Sequence, residues 1–475
     1  MHSGPDRSHG VATCDVLVHG SGECDQLGLG EGVLERKKPT VIKSLVGKNI
    51  ISVVSGSLHN LALTADGQVY SWGCNDDGAL GRSGEENVPL PIPTFADIPI
   101  RKIALGDCHS AYLDYSGHLW ICGTYKDSSG HIGFPDYQKG IGHIHHKQVE
   151  PVQVTGFPSR TKVEDVVCGA NHTVVALSSV SRRSSSATLR VMTWGNDEFG
   201  QLGLGPRDDE EGRAEEDTVM LKHTSRGKRH QKVKLFPRDI SVNINGIVSI
   251  FATAQTSFIK TLDKSIYGCG LNNFGQIGFG NTSVYPVRQF TRVEPLSAIP
   301  SGVDHISGGT VHSAARTHDG HVYSWGRRDY SGLPIGAHQS DIQPPMKIPT
   351  LSHIKHIACG GSHTLASNSY GEVYAWGFGG TQQLGNLPRD ISMGAAAPDE
   401  EPQDEQEPYM IDSRQLQERF VVAVSAGAQH SVELAWNNEY AANMSRALVE
   451  KAAAVTPSKR KSIGHAGSAK ERRIS

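Results

Sequence analysis

Residues 69–81 read VYSWGCNDDGALG, and close variants of this phrase recur along the chain. VMTWGNDEFGQLG stands at 191–203, VYSWGRRDYSGLP at 322–334 and VYAWGFGGTQQLG at 373–385. Each copy contains an apolar run, a glycine and a polar stretch that ends in Leu-Gly or a variant of it. A phrase that returns after roughly 50–60 residues indicates a repeat architecture, either a propeller or a solenoid.

A second signature, Gly-x-x-His followed by an apolar run, alternates with the first. The first signature is anchored by seven glycines, namely Gly20, Gly73, Gly123, Gly195, Gly270, Gly326 and Gly377. The second occurs at Gly56–His59, Gly106–His109, Gly169–His172, Gly309–His312, Gly360–His363 and Gly427–His430. A degenerate copy, ATAQTSFIKT, fills the expected place around Thr253–Thr256.

The two signatures together predict β-hairpins. LHNLALTADGQVYSWG (58–73) is an apolar run, an Asp-Gly turn and a second apolar run, and residues 312–326 and 363–377 repeat this design. Helical periodicity is nearly absent before residue 438. The chain is therefore predicted to be all-β, with each G-x-x-H run paired with the W-G run that follows it.

The order of the signatures predicts how the architecture ends. The chain begins with a W-G-type segment at 16–30 and ends with a G-x-x-H segment at 424–434. Pairing these two segments completes a seventh unit and removes the open sheet edges. We therefore predict a seven-bladed β-propeller of four-stranded blades. Its expected limits are a tail at 1–13, the propeller at 14–436 with a charged loop at 205–234 and an acidic loop at 396–408, and a basic tail at 437–475.

Composition disfavours several classes of protein. Hydrophobic residues make up 37% of the 475 residues, no apolar run approaches the roughly 18 residues of a membrane span, and the first twenty residues lack an apolar signal core. The 8 cysteines form no C-x-x-C pair, so buried thiols in a reducing compartment are favoured over disulfides or a metal site. With no phosphate-binding loop motif and no zinc-ligand spacing, we expect no metal, no cofactor and no hydrolytic or redox chemistry.

Charge is unevenly distributed along the chain. Residues 446–475 hold eight Lys or Arg against two Glu, giving +6, so the net charge of −3 leaves −9 for the other 445 residues. Within the long interval from Gly195 to Gly270, an acidic run at 208–217 precedes a basic run at 222–234. Loops of this length in a repeat protein usually serve binding, although a solvated charge run is the alternative.

Four stretches outside the simple repeat resemble one family: QLGLGEGVLERKKP (26–39), VYSWGCNDDGALGR (69–82), YKDSSGHIG (125–133) and VMLKHTSRGK (219–228). Over about residues 14–436 the chain resembles the regulator of chromosome condensation family, the chromatin-bound guanine-nucleotide exchange factors for the small GTPase Ran. The resemblance implies an activity without covalent chemistry, in which the protein binds the nucleotide-free GTPase more tightly and so weakens GDP binding by the same factor.

The resemblance also implies site residues. In the family a β-wedge projects from one propeller face and disturbs the GTPase phosphate-binding loop. The matching stretch here is PVQVTGFPSRTK (151–162), with Val152, Gln153, Val154, Thr155, Gly156, Phe157 and Pro158. Glu23 occupies a place where the family has an acid, Asp127 matches directly, and His312 and His430 lie at positions near the Ran surface. Because the G-x-x-H motif recurs in most units, the alternative is that these histidines tie neighbouring units together.

Basic residues complete the implied partner set. Arg226, Lys228 and Arg229 match the loop that docks on the histone acidic patch of the nucleosome, where guanidinium groups grip clustered carboxylates. Lys459, Arg460 and Lys461 in the C-terminal tail are expected to bind importin or DNA. Residues 438–455, with Tyr440, Met444 and Leu448 at helical spacing, form either one helix or a disordered segment. A nuclear, chromatin-associated exchange factor is therefore predicted; a propeller scaffold without exchange activity is the alternative.

Overall fold

A computed structural model describes residues 14–139, 143–179, 189–205, 234–240, 244–330, 332, 342–386 and 403–437. Within these ranges the regular structure is almost entirely β-strand, which confirms the all-β prediction. The exceptions are two short α-helices, α1 (Glu294–Ser297) and α2 (Arg414–Gln417), and three 3₁₀ turns at Lys43–Leu45, Pro93–Phe95 and Arg328–Tyr330. None of the helices in the described ranges has the length and apolar character that a membrane span requires.

Most strands form four-stranded antiparallel sheets. The first sheet contains β3 (Ile50–Ser55), β4 (His59–Thr64), β5 (Val69–Gly73) and β6 (Leu90–Pro91). The second contains β7 (Ile100–Leu105), β8 (His109–Asp114), β9 (Leu119–Gly123) and β14 (Gln148–Gln153). The third contains β15 (Thr161–Cys168), β16 (His172–Ser179), β17 (Arg190–Gly195) and β18 (Lys234–Asp239).

Three further groups follow the same plan. The fourth sheet contains β19 (Ile247–Ala252), β20 (Thr256–Thr261), β21 (Ile266–Gly270) and β22 (Val287–Arg292). The fifth contains β23 (Val303–Gly308), β24 (His312–Thr317), β25 (Val322–Arg327) and β26 (Ile342–Lys347). The sixth contains β27 (Ile354–Cys359), β28 (His363–Asn368), β29 (Val373–Gly377) and β30 (Glu405–Met410).

The last group, here the terminal sheet, combines both ends of the described chain. It contains β1 (Cys14–Ser21), β2 (Glu35–Val41), β31 (Arg419–Ala426) and β32 (His430–Asn437). β1 pairs with β32 over seven residues, from Cys14 opposite Trp436 to Gly20 opposite His430. The terminal sheet joins the first sheet where Cys14 lies opposite Ile50. The predicted pairing of the first W-G segment with the last G-x-x-H segment is thus present.

Every sheet has two distinct ends. The G-x-x-H turn separates the first strand from the second, and we name that edge of the molecule the G-x-x-H end. The tight turn between the second and third strands lies at the opposite edge, which we name the D-G end after the Asp66-Gly67 turn. The predicted hairpins are confirmed, since His59 lies opposite Gly73, His312 opposite Gly326 and His363 opposite Gly377.

The glycine of the W-G phrase is required by its backbone conformation and by its neighbour. All seven signature glycines have φ between +98° and +118°, a region that side chains other than glycine rarely adopt. A Cβ at Gly73 would also lie 2.4 Å from the carbonyl oxygen of Leu58 in the adjacent G-x-x-H turn. The two signatures therefore recur together because they meet in space.

The polar stretch that ends each phrase packs on the following sheet. The carbonyl oxygen of Gln26, in the terminal-sheet loop, accepts hydrogen bonds from Trp72 Nε1 at 3.2 Å and from Asn60 Nδ2 at 2.9 Å in the first sheet. The Gln276 carbonyl oxygen in the fourth-sheet loop likewise accepts from Trp325 Nε1 at 2.7 Å in the fifth sheet. Each phrase thus supplies a strand to one sheet and a cap to the next.

One loop boundary differs from the sequence-based expectation. Residues 405–408 of the expected acidic loop 396–408 belong to β30, because an edge strand can carry glutamates whose side chains face water. Residues 396–402 of that loop lie outside the described ranges. So do the tail 1–13, residues 206–233 of the charged loop and residues 438–475 of the basic tail.

Candidate functional site

The G-x-x-H turns converge on one cavity of about 240 Å³. The cavity is lined by the turn after the first strand of each sheet, including Gly56, Gly106, Gly169, Thr253, Gly309, Gly360 and Gly427. Neighbouring turns are joined by backbone hydrogen bonds, such as Ala170 N to Ala254 O at 2.8 Å and Ala428 N to Ser57 O at 2.9 Å. The turns of the first and terminal sheets are therefore direct neighbours around the cavity.

The motif histidines form a relay of contacts between adjacent sheets. Each imidazole Nε2 lies within hydrogen-bond distance of the polar side chain that follows the histidine position in the next sheet. The pairs are His59–Ser110 (3.1 Å), His109–Thr173 (3.0 Å), His172–Ser257 (2.9 Å), His312–Thr364 (2.8 Å), His363–Ser431 (3.0 Å) and His430–Asn60 (2.7 Å). In the degenerate fourth sheet, the Thr253 and Thr256 hydroxyls contact each other instead.

Burial keeps these histidines neutral. The exposed fraction of each is 0–1%, and removal from water lowers the pKa of His59 and His312 to about 4 and that of His109, His172 and His430 to about 3. This geometry agrees with the alternative interpretation of the motif, in which the histidines tie neighbouring units together. His312 and His430 do not reach the surface, so their contribution to exchange stays a prediction, as positioning residues for the surrounding turns.

The stretch 151–162 occupies a different place from the projecting ribbon that was expected there. Val152 lies opposite Ile121 and Gln153 opposite Trp120, so the first part of this stretch belongs to β14, the fourth strand of the second sheet. It then runs toward the D-G end, and the partly buried Phe157 packs against Trp194 with ring centroids 6.3 Å apart. The physical reason is that every sheet needs a fourth strand, and these apolar residues fill the core beside it.

The chain between β9 and β14 projects from the second sheet instead, and it forms an excursion at the G-x-x-H end. It forms two small ribbons, β10 (Lys126–Asp127) with β11 (Gly130–His131), and β12 (Phe134–Pro135) with β13 (Ile144–His145). The first ribbon, which we name the KD ribbon (126–131), has an exposed tip at 128–130. The length of this excursion, compared with the corresponding loop at 74–89, was the sequence signal that could have identified it.

Asp127 lies at the base of that tip. It is half-buried, and its Oδ1 accepts a hydrogen bond from the backbone N–H of Ser129 at 2.7 Å, which fixes the turn. The Ser128 N–H donates to Glu198 Oε2 at 3.1 Å, from the loop after the third sheet's W-G phrase. The tip is thus held from two directions while its upper surface stays open to solvent.

The KD ribbon is anchored to the first and third sheets through Lys126. Its ammonium donates to Asp77 Oδ2 at 2.6 Å in the first-sheet loop, and its backbone N–H donates to Asn171 Oδ1 at 2.8 Å. Its carbonyl oxygen accepts from Asn196 Nδ2 at 3.0 Å. Burial raises the pKa of Asp77, but hydrogen bonds from Cys108 and Lys126 outweigh it and hold that pKa below its ordinary value. The anchoring pair is therefore charged at neutral pH.

Glu23 lies at the same G-x-x-H end, in the loop that follows β1. It is exposed, and its backbone N–H donates to Ser21 Oγ at 3.4 Å.

Asp107 lies in a turn that lines the cavity. Burial raises the pKa of its carboxyl to about 6, although the nearby Lys126 acts in the opposite direction. The structure thus brings Glu23, Asp127 and the acidic loops around them to one end of the molecule, in the terminal and second sheets.

The basic candidates fall outside the described residues. Arg226, Lys228 and Arg229 belong to the undescribed part of the charged loop, and Lys459, Arg460 and Lys461 to the undescribed C-terminal tail. The charged loop begins beside the fourth sheet, where the Gly205 N–H donates to the Arg288 carbonyl oxygen at 2.9 Å, and it returns at Lys234, which lies opposite Gly195. Its return is therefore at the G-x-x-H end of the third sheet.

Within the described ranges, no group of three or more His, Cys, Asp or Glu side chains could hold a metal ion. All eight cysteines carry free thiols, and Cys14, Cys122 and Cys269 are buried. Burial raises the pKa of the Cys122 thiol to about 12, so it behaves as a small apolar side chain.

Comparison with known proteins covers nearly the whole chain. The sequence model of the RCC1-like domain matches residues 15–433. The regulator of chromosome condensation of Xenopus laevis is 30% identical over 436 residues, which span 90% of this chain and 91% of the relative. That of Homo sapiens is 31% identical over 444 residues, spanning 91% and 93%. The ultraviolet-B receptor UVR8 of Arabidopsis thaliana is 29% identical over 387 residues, spanning 80% and 77%.

Solved structures give the same result. The crystal structure of Prp20p from Saccharomyces cerevisiae, described with its binding properties to Gsp1p and histones, superposes with a TM-score of 0.72 at 26% identity, covering 92% of this chain and 96% of that one. Yeast RCC1 (Prp20) in complex with Kap60 superposes with a TM-score of 0.73 at 26% identity, covering 92% and 95%. The chain therefore belongs to the regulator of chromosome condensation family, whose RCC1-like domain it carries over residues 15–433.

Proposed function

We propose that this chain is a guanine-nucleotide exchange factor for the small GTPase Ran, built as a closed seven-bladed propeller over residues 14–436. Closure is supported by the β1–β32 pairing and by the cavity that all seven G-x-x-H turns line. Ran as the partner is supported by the near-complete match to regulators of chromosome condensation and by Prp20p, which is described as binding Gsp1p. The observation that carries the proposal is the anchored KD ribbon, which contains Asp127.

The KD ribbon takes the role of the wedge in this proposal. A wedge must keep its shape while it displaces part of the GTPase, and Lys126 supplies that rigidity through its contacts to Asp77, Asn171 and Asn196. Each tenfold gain in GDP release requires about 1.4 kcal/mol of contact made only with the nucleotide-free GTPase. The carboxylates of Glu23 and Asp127 would supply such contacts by accepting hydrogen bonds from donors that the phosphates otherwise occupy. No covalent bond is made or broken in this exchange.

Replacing Asp127 with alanine is expected to slow GDP release from Ran roughly tenfold, because a hydrogen bond to a charged group contributes about 1.5–3 kcal/mol. The assay follows Ran loaded with a fluorescent GDP analogue after addition of the full chain. Glu294→Ala is the control, since Glu294 is an exposed acid in α1 at the D-G end. A V152A/Q153A variant is expected to retain its rate if it folds. Unchanged release with D127A and slowed release with V152A/Q153A would place the wedge at 151–162 instead.

We further propose that the protein works in the nucleus on chromatin. Prp20p is described with its binding properties to histones, and Kap60 is found bound to yeast RCC1 (Prp20). By this proposal Arg226, Lys228 and Arg229 bind the histone acidic patch, and Lys459, Arg460 and Lys461 bind importin or DNA. Deleting residues 457–475 is expected to reduce nuclear retention; unchanged nuclear and chromatin retention would contradict the role of the tail.

The triple variant R226A/K228A/R229A is expected to weaken nucleosome binding about tenfold or more, because charge-assisted contacts to clustered carboxylates are lost. Binding is measured by gel shift with reconstituted nucleosomes, and exchange on Ran is measured in parallel. The expected result is weaker nucleosome binding with unchanged exchange. Equal nucleosome affinity would favour a solvated charge run.

A propeller scaffold without exchange activity is the second candidate function. It is favoured by the similarity to UVR8, which is named as an ultraviolet-B receptor and not as an exchange factor. The tryptophans give it no particular support, since Trp72, Trp194, Trp325 and Trp376 are fully buried within the sheets. Binding of Ran without faster release of the GDP analogue would support the scaffold.

A further inference from the structure

The sixth and terminal sheets leave a groove between them at the D-G end. The groove has a volume of about 280 Å³ and is lined by side chains from β29, β30, α2 and the turns beside them. Its apolar floor is buried, with Val373, Ile411 and Leu416 exposed by only 2–8%. The rim of the groove is exposed to solvent, since Tyr370 is 65% and Met410 48% exposed. Two large apolar side chains therefore stand open to water around an apolar floor.

The described chain ends beside this groove. Asn437, the last residue of β32, lies opposite Arg419, and Arg419 lines the groove. The wall next to Arg419 is continuous with the chain exit, because Gly371 packs against Phe420 and the Phe420 ring stacks on Trp436 at 5.8 Å. Three residues span at most about 10 Å, so the segment that follows Asn437 reaches the groove without a linker.

That segment has the chemistry the groove requires. Tyr440, Met444 and Leu448 recur every four residues, which places them on one face of a helix. Three alanines, at 441, 442 and 447, favour helix formation. Lys451, at i+3 from Leu448 on the same helical face, has an opposite charge to Glu372 and Asp412, both of which line the groove. An isolated helix of this length is marginal in water, so an apolar surface that receives one face would stabilise it.

We propose that residues 438–450 dock in the groove as an amphipathic helix, with Tyr440, Met444 and Leu448 against Tyr370, Met410 and the apolar floor. Docking holds the start of the C-terminal tail at the D-G end. The basic clusters at 457–462 and 470–473 then project from the edge of the molecule opposite the KD ribbon. Given the proposed function, a partner of the tail and a GTPase on the KD ribbon occupy opposite ends and do not compete.

Hydrogen exchange on the full chain tests the docking from the side of the tail. The variant M444E/L448E places two charges on the docking face, and A442E/V449E places the same two charges away from it. Backbone amides in the groove wall, including Ile411 and Gln417, are hydrogen-bonded. In M444E/L448E the amides of 370–373 and 411–417 are expected to exchange roughly tenfold faster than in the wild type, with no change in A442E/V449E. Equal exchange in all three proteins would overturn the proposal.

Trypsin cleavage tests it from the side of the groove. Met410→Glu charges the exposed rim, and Leu262→Glu charges an apolar side chain on a fourth-sheet turn that is more exposed, 76% against 48% for Met410. Cleavage after Arg446 and Lys451 is expected to be about tenfold faster in M410E and unchanged in L262E. Protection of the groove that grows with protein concentration would show a second copy as the occupant and would also overturn the proposal.

Discussion

Lowering the pH from about 7.5 to about 5.5 is expected to unfold this protein or bring it close to unfolding, because six buried histidines must stay neutral in the folded state. Burial lowers the pKa of five of them to about 3 or 4 and that of His363 further below its ordinary value. In the unfolded chain the same groups titrate near 6.5. The unfolded state therefore binds more protons below that pH.

The sign and size follow from this difference. A histidine is charged when it is protonated. If its pKa is lower in the folded protein than in the unfolded chain, it stabilises the fold fully at pH values above the unfolded pKa. That stability is lost as the pH falls from about 6.5 toward the folded pKa of about 3–4. Over this pH step each histidine removes roughly 1 to 2 kcal/mol from the free energy of unfolding, and six remove on the order of 8 kcal/mol. Whole domains are stable by only about 5–15 kcal/mol.

Urea unfolding followed by tryptophan fluorescence at a series of pH values measures the effect. Asp107, with its pKa raised to about 6, works in the opposite direction because its carboxyl takes up a proton first in the folded state. One carboxyl does not reverse the sign set by six imidazoles. His143→Gln, at an exposed position, is the control and is expected to leave the pH profile unchanged. A urea midpoint that stays constant across this range would contradict neutral, buried imidazoles.

Glu433→Ala is expected to lower the free energy of unfolding by about 3–5 kcal/mol, since it leaves one partner of a buried polar pair without the other. Glu433 Oε1 lies 2.9 Å from His19 Nε2, and both side chains have no exposed surface. Glu433 is on β32 and His19 on β1, so this contact joins the two ends of the described chain. Urea unfolding at neutral pH measures the loss.

The repeat itself supplies the rescue variant. His19 stands where the first, fifth and sixth sheets have a tryptophan, and Glu433 stands where those sheets have an alanine, as diagonal cross-strand neighbours. These pairs are Trp72–Ala62, Trp325–Ala315 and Trp376–Ala366. Gly385 packs against His19 as Gly28 packs against Trp72, so the neighbouring cap has the same small residue in both places. The double variant H19W/E433A is expected to recover most of the stability lost in E433A.

An exposed ion pair provides the comparison. Arg414 Nε lies 3.1 Å from Glu418 Oε1, with side chains 88% and 52% exposed, and Glu418→Ala is expected to cost less than about 1 kcal/mol. A loss in E433A no larger than that in E418A would contradict a structural role for the buried pair. Failure of H19W/E433A to recover would show that the terminal sheet does not accept the arrangement of the other sheets.

The hairpins and the partner of the first strand followed from the sequence because they depend on local signals. Alternating apolar runs around Asp66-Gly67 specify a hairpin wherever they occur, and seven copies of each phrase allow only a regular array. The unpaired W-G phrase at 16–30 and the unpaired G-x-x-H phrase at 424–434 then identified each other. The hairpins were inferred from residues close in sequence, and the pairing of the chain ends was inferred from the number and order of the two phrases.

The place of residues 151–153 in the second sheet did not follow from the sequence, because it depends on which segment becomes the fourth strand of that sheet. PVQV at 151–154 matches a family stretch, but only the register opposite Ile121 and Trp120 shows that it serves as a fourth strand. Lys126 gave no sequence signal at all. Its three anchors come from distant parts of the chain, Asp77 from the first-sheet loop and Asn171 and Asn196 from the third sheet.

By itself, the sequence determined the all-β class, the hairpins and the pairing of the two chain ends, since turn chemistry and apolar alternation act over a few residues. The tertiary structure alone decided that the motif histidines are buried ties, that Asp127 stands on an anchored ribbon and that a groove opens beside Asn437. Burial and anchoring depend on contacts between residues more than forty positions apart, and a pattern in one segment does not contain them.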